Sequence, residues 1–477
     1  MTDLIWRLCH SVPTVEKPHT LGHLVPPNQY DGIYPVSVSS DEITVRPFEH
    51  TGRGVLNVDG IDSAFRRFYA ERGGLGEPSI IDLSEVEYLE QGTLLHLGAL
   101  AAYRKRKGWP VQIRLPRSTH AINWMRTCEF PNFIEFVTKT PFADLLDDDS
   151  TSRFCDLVAR GKSEFDQDPP VGGTREPIHP KRVLYLSPIQ NIDRACGVSD
   201  AADRATRARL VAAITSDKLR EQQVYDLLDT FIPRSDRDTK QGGGLVSAIL
   251  EEFVQNSVMH SSPSLGYVYG SFDYGEYNKR TRSKGFFGLS AWDNGLPATR
   301  IITNAMGERL EPSRVMNSAA AYAHEVFRVR YTGPGFANPQ QTVIRVDGMD
   351  DVANLLSRRE AYRALALFLP GVTSEPERKS VPTSTRSKEL PGDPLPASES
   401  EKSGTGLYRV CRMAVDILDG RIDYASGQIR VRIQQYKSEI YADARPDYQV
   451  DLEYGTQTVW PIEGNLFTCR LPGEWPA

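Results

Sequence analysis

Long apolar runs, paired cysteines and an excess of either charge are all missing from this 477-residue chain. No window approaches the roughly 18 or more apolar residues of a membrane span. The N-terminal stretch MTDLIWRLCHSVP lacks the apolar core of a signal peptide. A cytoplasmic chain without a membrane segment is therefore expected. The six cysteines (Cys9, Cys128, Cys155, Cys196, Cys411, Cys469) stand far apart, with no CxxC pair and no Cys/His cluster at zinc spacing. Isolated reduced thiols are the expectation. Lys and Arg number 56 against 62 Asp and Glu, a formal charge of -6, so the global electrostatic argument for nucleic-acid binding fails. What is present is an ordinary globular composition, 40% hydrophobic and 25% charged, in a chain long enough for two or three cored domains.

Residues 1–50 read as an irregular arm or a few short strands. A strand–helix–strand–helix pattern follows: PSIIDLSEV (78–86), QGTLLHLGALAAYRKRKG (91–108), WPVQIRLP (109–116) and AINWMRTCEF (121–130). In the first helix Leu94, Leu97, Leu100 and Ala101 fall on one face, and Gly108 ends it behind a basic last turn. This α/β domain is placed at 51–150. A Pro-, Gly- and charge-rich stretch at 161–181 marks a linker, taken as 151–180. The second domain, 181–477, opens with RVLYLSPI (182–189), then helices near 200–214 and 216–230. GLVSAILEEFVQNSVMHSS (244–262) is the next helix, followed by strands GYVYGSFDY (266–274) and GFFGLSAWD (285–293). The long region 298–402 carries two helical patterns and a run almost free of large apolar residues (374–403). SGTGLYRVCRMAVDILDG (403–420) then feeds a helix, and GNLFTCRLP (464–472) alternates as a closing strand.

Three places in the second domain have residue types suited to a charged ligand. Glu252 and Asn256 lie four apart on one helix, so both side chains project from one face and could hold a divalent metal and polarise a water. A polar pair that merely satisfies a neighbouring loop has the same spacing. Asp293-Asn294-Gly295 ends an apolar strand; the carboxylate there can accept from an exocyclic amine, and Gly295 lets backbone approach a flat ring. Ordinary turn chemistry has the same residues. Gly404-Thr405-Gly406 precedes a helix beginning near Leu407, where backbone N–H groups and the helix dipole favour an anion.

Their order and spacing resemble the GHKL ATPases, the group of gyrase, the heat-shock chaperone, histidine kinases and mismatch-repair ATPases. ILEEFVQNSVMHSS resembles the N box, LSAWDNGLP the first glycine box, SGTGLYRVCRMAVDILDGRIDYASG the second, and GNLFTCRLP the last strand. The resemblance implies a Bergerat-fold α/β sandwich that binds ATP and Mg²⁺. Asn256 would hold the metal and Glu252 would act as catalytic base. Asp293 and Gly295 would meet adenine, while Gly404, Thr405, Gly406 and Leu407 would form the phosphate loop under a lid at 298–402. Arg378 or Lys379 could approach the γ-phosphate from that lid, although solvated charges are the plainer reading. His260 is read as structural. Pro297, Tyr408 and Asn465 depart from the family pattern. They keep a pseudo-ATPase scaffold in play beside a slow ATPase switch and an anti-sigma-like protein serine/threonine kinase.

SIIDLSEVEYLEQGTLLHLGALAAYRKRKGWPVQIRLP resembles the STAS domain through Asp82-Leu83-Ser84, Val86, Gly92 and the following helix. Signalling members carry a phosphorylated serine just before that glycine. Here Glu90 and Gln91 occupy those positions and Thr93 is a poor substitute, so a docking or dimerisation module is implied, with Glu90 as a constant negative charge the alternative. The expected whole is an α/β (α+β) cytosolic regulator of bacterial type: a STAS-like domain that meets a protein partner, fused to an ATPase able to form a homodimer. No coiled-coil heptads support the dimer.

Overall fold

The computed structural model describes residues 42–44, 55–56, 58–71, 80–89, 92–159, 183–188, 242–260, 266–274, 284–317, 324–334, 338–374, 404–436, 447–455 and 461–474. Residues 41–477 form one compact unit. The helices expected near 200–214 and 216–230, the linker at 161–181 and most of the N-terminal arm lie outside the described residues.

The N-terminal α/β layer comprises β1 (Glu42–Thr44), β2 (Val55–Leu56), α1 (Val58–Glu71), β3 (Ile80–Asp82), β4 (Tyr88–Leu89), α2 (Thr93–Arg106), β5 (Gln112–Arg114), α3 (Thr119–Thr127), α4 (Phe130–Thr138) and α5 (Asp148–Ala159). Strands β1, β3 and β5 form a parallel sheet in that order, and β2 pairs with β4. Ser118 caps α3 by accepting from the Ala121 amide, the role a serine at that boundary is built for. The layer's C-terminal edge is tied by Arg114, whose guanidinium bridges Asp82 at 3.0 Å and Asp147 at 2.6 Å. Helix α2 was expected to show one apolar face. Instead it is buried nearly all round, from Thr93 to Ala102 and again at Arg104. A helix without a polar face is one packed on several sides, and α2 has neighbours on two: its own layer and the large sheet described next.

That sheet has nine strands among the described residues. They are β6 (Val183–Pro188), β7 (Gly266–Tyr274), β8 (Lys284–Asp293), β9 (Glu325–Thr332), β10 (Gln340–Val346), β11 (Arg421–Gly427), β12 (Ile429–Gln435), β13 (Asp447–Tyr454) and β14 (Ile462–Glu474). Their order is β10-β9-β13-β12-β11-β14-β8-β7-β6, antiparallel throughout except that β13 pairs with β9 in parallel. One face carries the main core together with α6 (Gly242–His260), α7 (Ala298–Met306), α8 (Met349–Leu356), α9 (Glu360–Ala366) and α10 (Gly406–Cys411). Helix α10 runs on into a π-helical turn, Arg412–Ile417. The architecture is thus mixed α/β around one large mixed sheet.

The other face of β7, β8 and β14 is covered by the N-terminal layer. Tyr267, Tyr269, Trp292 and Leu466 belong to the same buried cluster as Leu94, Leu97 and Phe133. Phe133 meets Tyr267 at 4.5 Å and Trp292 at 5.9 Å between ring centroids. Cys128 Sγ lies 3.3 Å from the Tyr269 hydroxyl, and Arg106 pairs with Glu463 at 3.1 Å.

The stretch 298–402, expected as a lid, is not one element. Up to Ser374 it contributes α7, β9, β10, α8 and α9, with Phe327, Val329, Val346, Val352 and Leu365 deep in the main core. A segment whose side chains build the core and whose strands extend the sheet cannot lift as a unit. The rest, 375–403, with Arg378 and Lys379, lies outside the described residues. The strand β9 was not anticipated, although EVFRVRYT alternates in burial along its whole length.

Candidate functional site

The three polar motifs, spread over more than 150 residues, meet around α6. Its apolar residues Leu245, Val246, Ile249, Leu250 and Phe253 are buried, and the Phe253 ring stacks on Phe467 of β14 at 5.3 Å. Seated this way, α6 turns Glu252 toward α10 and Ser257 toward the end of β8. Glu252 Oε1 lies 3.3 Å from the Arg409 guanidinium, with exposures of 2% and 1%. Arg409 stands one helical turn beyond the Gly404-Thr405-Gly406 turn, so its side chain points back along α10. Its amide also bonds the Thr405 carbonyl. Asn256 is half-buried, and its amide nitrogen donates 2.8 Å to the Glu252 carbonyl. Its Oδ1 is therefore the oxygen left for a ligand.

Asp293 is 1% exposed at the end of β8. Its Oδ2 accepts from the Ser257 hydroxyl at 3.0 Å, and its Oδ1 from the Gly295 amide at 2.9 Å and from Asn465 Nδ2 at 3.1 Å. Asn465 is its register partner across β14–β8. The Asn465 side chain organises the whole corner. Its Oδ1 takes the Ala298 amide at 2.8 Å and the Tyr424 hydroxyl at 3.0 Å, while its Nδ2 also reaches the Leu296 carbonyl at 2.9 Å. The resemblance implies a threonine at this position, and its single hydroxyl could not hold all of these. Next door, a side chain on Gly464 (φ 75) would put its Cβ 1.6 Å from the Asp293 carbonyl, so only glycine lets β14 come this close. Pro297, another departure from the pattern that the resemblance implies, sits at the N-cap of α7 with φ near -52 and starts that helix directly.

The glycine turn is equally confined. Gly404 has φ 85, and a Cβ there would lie 2.9 Å from the Gly371 carbonyl carbon. The Gly371 amide donates to the Gly404 carbonyl at 3.0 Å, and Asn317 and Thr373 amides bond the same neighbourhood. Thr405 is buried, Gly404 and Leu407 half-buried. The turn is thus braced against the end of the 298–374 region, a contact that sequence motifs do not reveal.

Beyond the turn, α10 and the π-helical turn after it meet β9 and β13 in a cluster of buried and half-buried ionisable residues. Arg412 lies 2.6 Å from both Asp416 and the Tyr448 hydroxyl, which itself donates to Asp416 at 3.0 Å. Glu325, 3% exposed at the start of β9, accepts from the Tyr408 hydroxyl, and its Oε2 has no hydrogen-bond partner. Burial is the main force pushing this carboxyl up to about 7, against the opposing pull of Arg412. Burial likewise raises the Tyr408, Cys411 and Tyr448 groups.

Of the residues singled out in the sequence, Glu252, Asn256, Asp293, Gly404, Thr405 and Gly406 lie on elements that adjoin one another; Gly295 bonds Asp293 directly, and Leu407 packs against the main core. The side chain of His260 lies outside the described residues. Ser257, Arg409 and Gly464 were not singled out. Ser257 follows Asn256 directly in the same helix, and Arg409 lies about one helical turn after Gly406, positions that no motif marked. Among the described residues there is no group of three or more His, Cys, Asp or Glu side chains placed to hold a metal ion, and no helix long and apolar enough to cross a membrane. No protein-family model matches the chain, and neither does any curated protein or solved structure.

Proposed function

We propose that the chain is an ATP-binding regulatory protein in which Mg²⁺-ATP, held between α6, the end of β8 and the Gly404–Gly406 turn, changes what the N-terminal layer presents to a protein partner. The observation that carries this reading is the convergence of Glu252, Asn256, Ser257, Asp293 and Arg409 at one corner of the large sheet.

The donor types suit the ligand in part. Asn256 Oδ1 is a hard oxygen of the kind Mg²⁺ accepts alongside phosphates and water. Mg²⁺, when bound, supplies charge neutralisation across the phosphates. The backbone at Gly404 and Gly406 would approach the phosphates without a side chain in the way. Asp293 would read an adenine amine only by exchanging its Ser257 or Asn465 bond for the new one. Glu252 stands where the resemblance implies a base, but Arg409 neutralises it in a buried pair. Proton abstraction would require that pair to open, which favours binding and slow hydrolysis over rapid turnover. Signal transfer has a short route along β8: Asp293 faces α6, while its neighbour Trp292 faces the N-terminal layer and donates to the Glu463 carbonyl at 2.7 Å.

A second reading, an interaction scaffold that needs no nucleotide, is favoured by the closed bonding of Asp293 and the Glu252–Arg409 pair. Thermal denaturation with and without Mg²⁺-ATP separates the two. Ligand at about 100 times its dissociation constant adds roughly 2.7 kcal/mol. Wild type should shift upward, Asp293→Ala should not, and Glu252→Gln should shift while releasing no phosphate. A wild-type chain that does not shift at millimolar Mg²⁺-ATP is the scaffold.

A further inference from the structure

Where β9 and β13 meet the α10 segment, one guanidinium stands between two carboxylates. Glu325 opens β9 and is 3% exposed. Alternation along the strand turns its side chain to the core face with Phe327 and Val329, while Arg328 and Arg330 point the other way. On the core face it meets Tyr408 and Cys411 of α10, and Arg412 and Asp416 of the π-helical turn. Its register partner on β10 is the apolar Val346, and β13 contributes Tyr448, the partner of Phe327. One carboxylate oxygen of Glu325 accepts from the Tyr408 hydroxyl, and the other, Oε2, has no hydrogen-bond partner. Arg412 belongs instead to Asp416, at 2.6 Å. The Tyr448 hydroxyl joins that pair, accepting from Arg412 at 2.6 Å and donating to Asp416 at 3.0 Å.

With the Glu325 proton in place this arrangement is electrically balanced: Arg412 answers Asp416, and the protonated carboxyl adds no charge. Without that proton, two carboxylates compete for one guanidinium, and the deeper of them is the one left unpaired. An unpaired charge is far less stable where water cannot reach it. Glu325 is 3% exposed, whereas the side chains of Arg412 and Asp416 are each 20% exposed. The more stable arrangement of the ionised cluster therefore gives the guanidinium to Glu325 and leaves Asp416 to the solvent. Burial holds the Glu325 carboxyl up at about 7, against the pull of Arg412, so the exchange falls in the neutral range.

We propose that Glu325, Arg412 and Asp416 form a proton-controlled switch, in which loss of the Glu325 proton moves Arg412 from Asp416 to Glu325 and frees the π-helical turn of its brace. The Arg412–Asp416 pair lies within that turn and, through Tyr448, ties it to β13. Turns of this kind recur at functional sites, and this one continues α10, which carries Arg409 of the polar corner. The switch needs no nucleotide, and it stands whether or not the corner binds ATP.

Double-mutant cycles in urea on the full chain show which carboxylate holds Arg412, with Arg412→Met combined with Asp416→Asn in one cycle and with Glu325→Gln in the other, at about pH 6 and about pH 8. The coupling of Arg412 to Asp416 should amount to about tenfold in the unfolding equilibrium constant at the lower pH and should fall away at the higher one. The coupling to Glu325 should do the reverse, absent at the lower pH and about tenfold or more at the higher. Carboxyl-carbon NMR of the wild-type chain gives an independent reading should a variant not fold. The Asp416 signal should move through the same midpoint as that of Glu325, and should stay still in Glu325→Gln. The switch is overturned if the coupling to Asp416 is the same at both pH values, since Arg412 then serves both carboxylates without moving. It is equally overturned if no coupling to Glu325 appears at the higher pH, or if the Asp416 signal ignores the titration of Glu325.

Discussion

Replacing Glu325 by glutamine should make the protein more stable at pH 8 than wild type, with the difference shrinking as pH falls toward the unfolded carboxyl value of 4.5. The carboxyl sits at the start of β9, 3% exposed, with one oxygen lacking a hydrogen-bond partner. It faces Tyr408, Cys411, Arg412 and Asp416 of the α10 segment and the backbone of His324. Burial raises it from 4.5 to about 7. Below the unfolded value both states hold the proton, and no cost arises. Between 4.5 and about 7 the unfolded chain loses the proton while the folded chain keeps it, so stability falls as pH rises. Above the folded value both states are ionised and the full cost, roughly 3 kcal/mol, is present. Glutamine imitates the protonated form and never develops that cost. Urea denaturation of both proteins at several pH values from about 5 to about 8 measures the difference directly. A gap that opens with pH toward roughly 3 kcal/mol fits the reasoning. Parallel curves, or a variant less stable at pH 8, would mean that Arg412 holds the carboxylate ionised, and would refute it.

Three further outcomes follow from the packing. Arg409→Met should cost about 3 kcal/mol or more by removing the cation beside buried Glu252, and adding Glu252→Gln should recover much of it, read as a double-mutant cycle in denaturant. Phe133→Ala removes the ring seated between Tyr267 and Trp292, and should lower stability by about 3 to 5 kcal/mol in the same assay. Gly464→Ala sets a methyl against the Asp293 carbonyl, so the thermal midpoint should fall by the equivalent of about 3 kcal/mol; an unchanged midpoint would show that β14 can move away from β8.

Local pattern made much of the fold readable. Helix α6 and strands β7, β8 and β14 carry periodicities that come from having one partner on each side. Two features escaped for reasons of tertiary packing. The leucine-rich helix α2 is buried all round from Thr93 to Ala102 because it lies between two sheets, and a sequence window cannot distinguish a face turned to its own domain from one turned to another layer. Strand β9 has clear alternation, yet its parallel partner β13 begins at Asp447, more than 100 residues later, and no local signal announces such a pairing. The polar corner was readable as three separate motifs. Its wiring was not: that Arg409 neutralises Glu252, and that Asn465 gathers Asp293, Ala298, Leu296 and Tyr424, depends on side-chain reach across strands and helices.

That wiring bears on how a ligand at the corner would be felt elsewhere. Successive residues of a strand point to opposite faces, so Asp293 and Trp292 divide one short stretch of β8 between the corner and the N-terminal layer. The indole is fixed at both ends, by Phe133 on the layer and by the Glu463 carbonyl on β14. Glu463 in turn pairs with Arg106 at the end of α2, and Gly464 beside it is pressed on the Asp293 carbonyl. Any ligand that shifts Asp293 must therefore move β14 relative to β8 or strain the Gly464 contact. A shift of β14 changes the seat of α2 and α4. Because both layers are close-packed, small displacements are passed on rather than absorbed. Trp292, Glu463 and Arg106 thus tie the corner mechanically to the N-terminal layer.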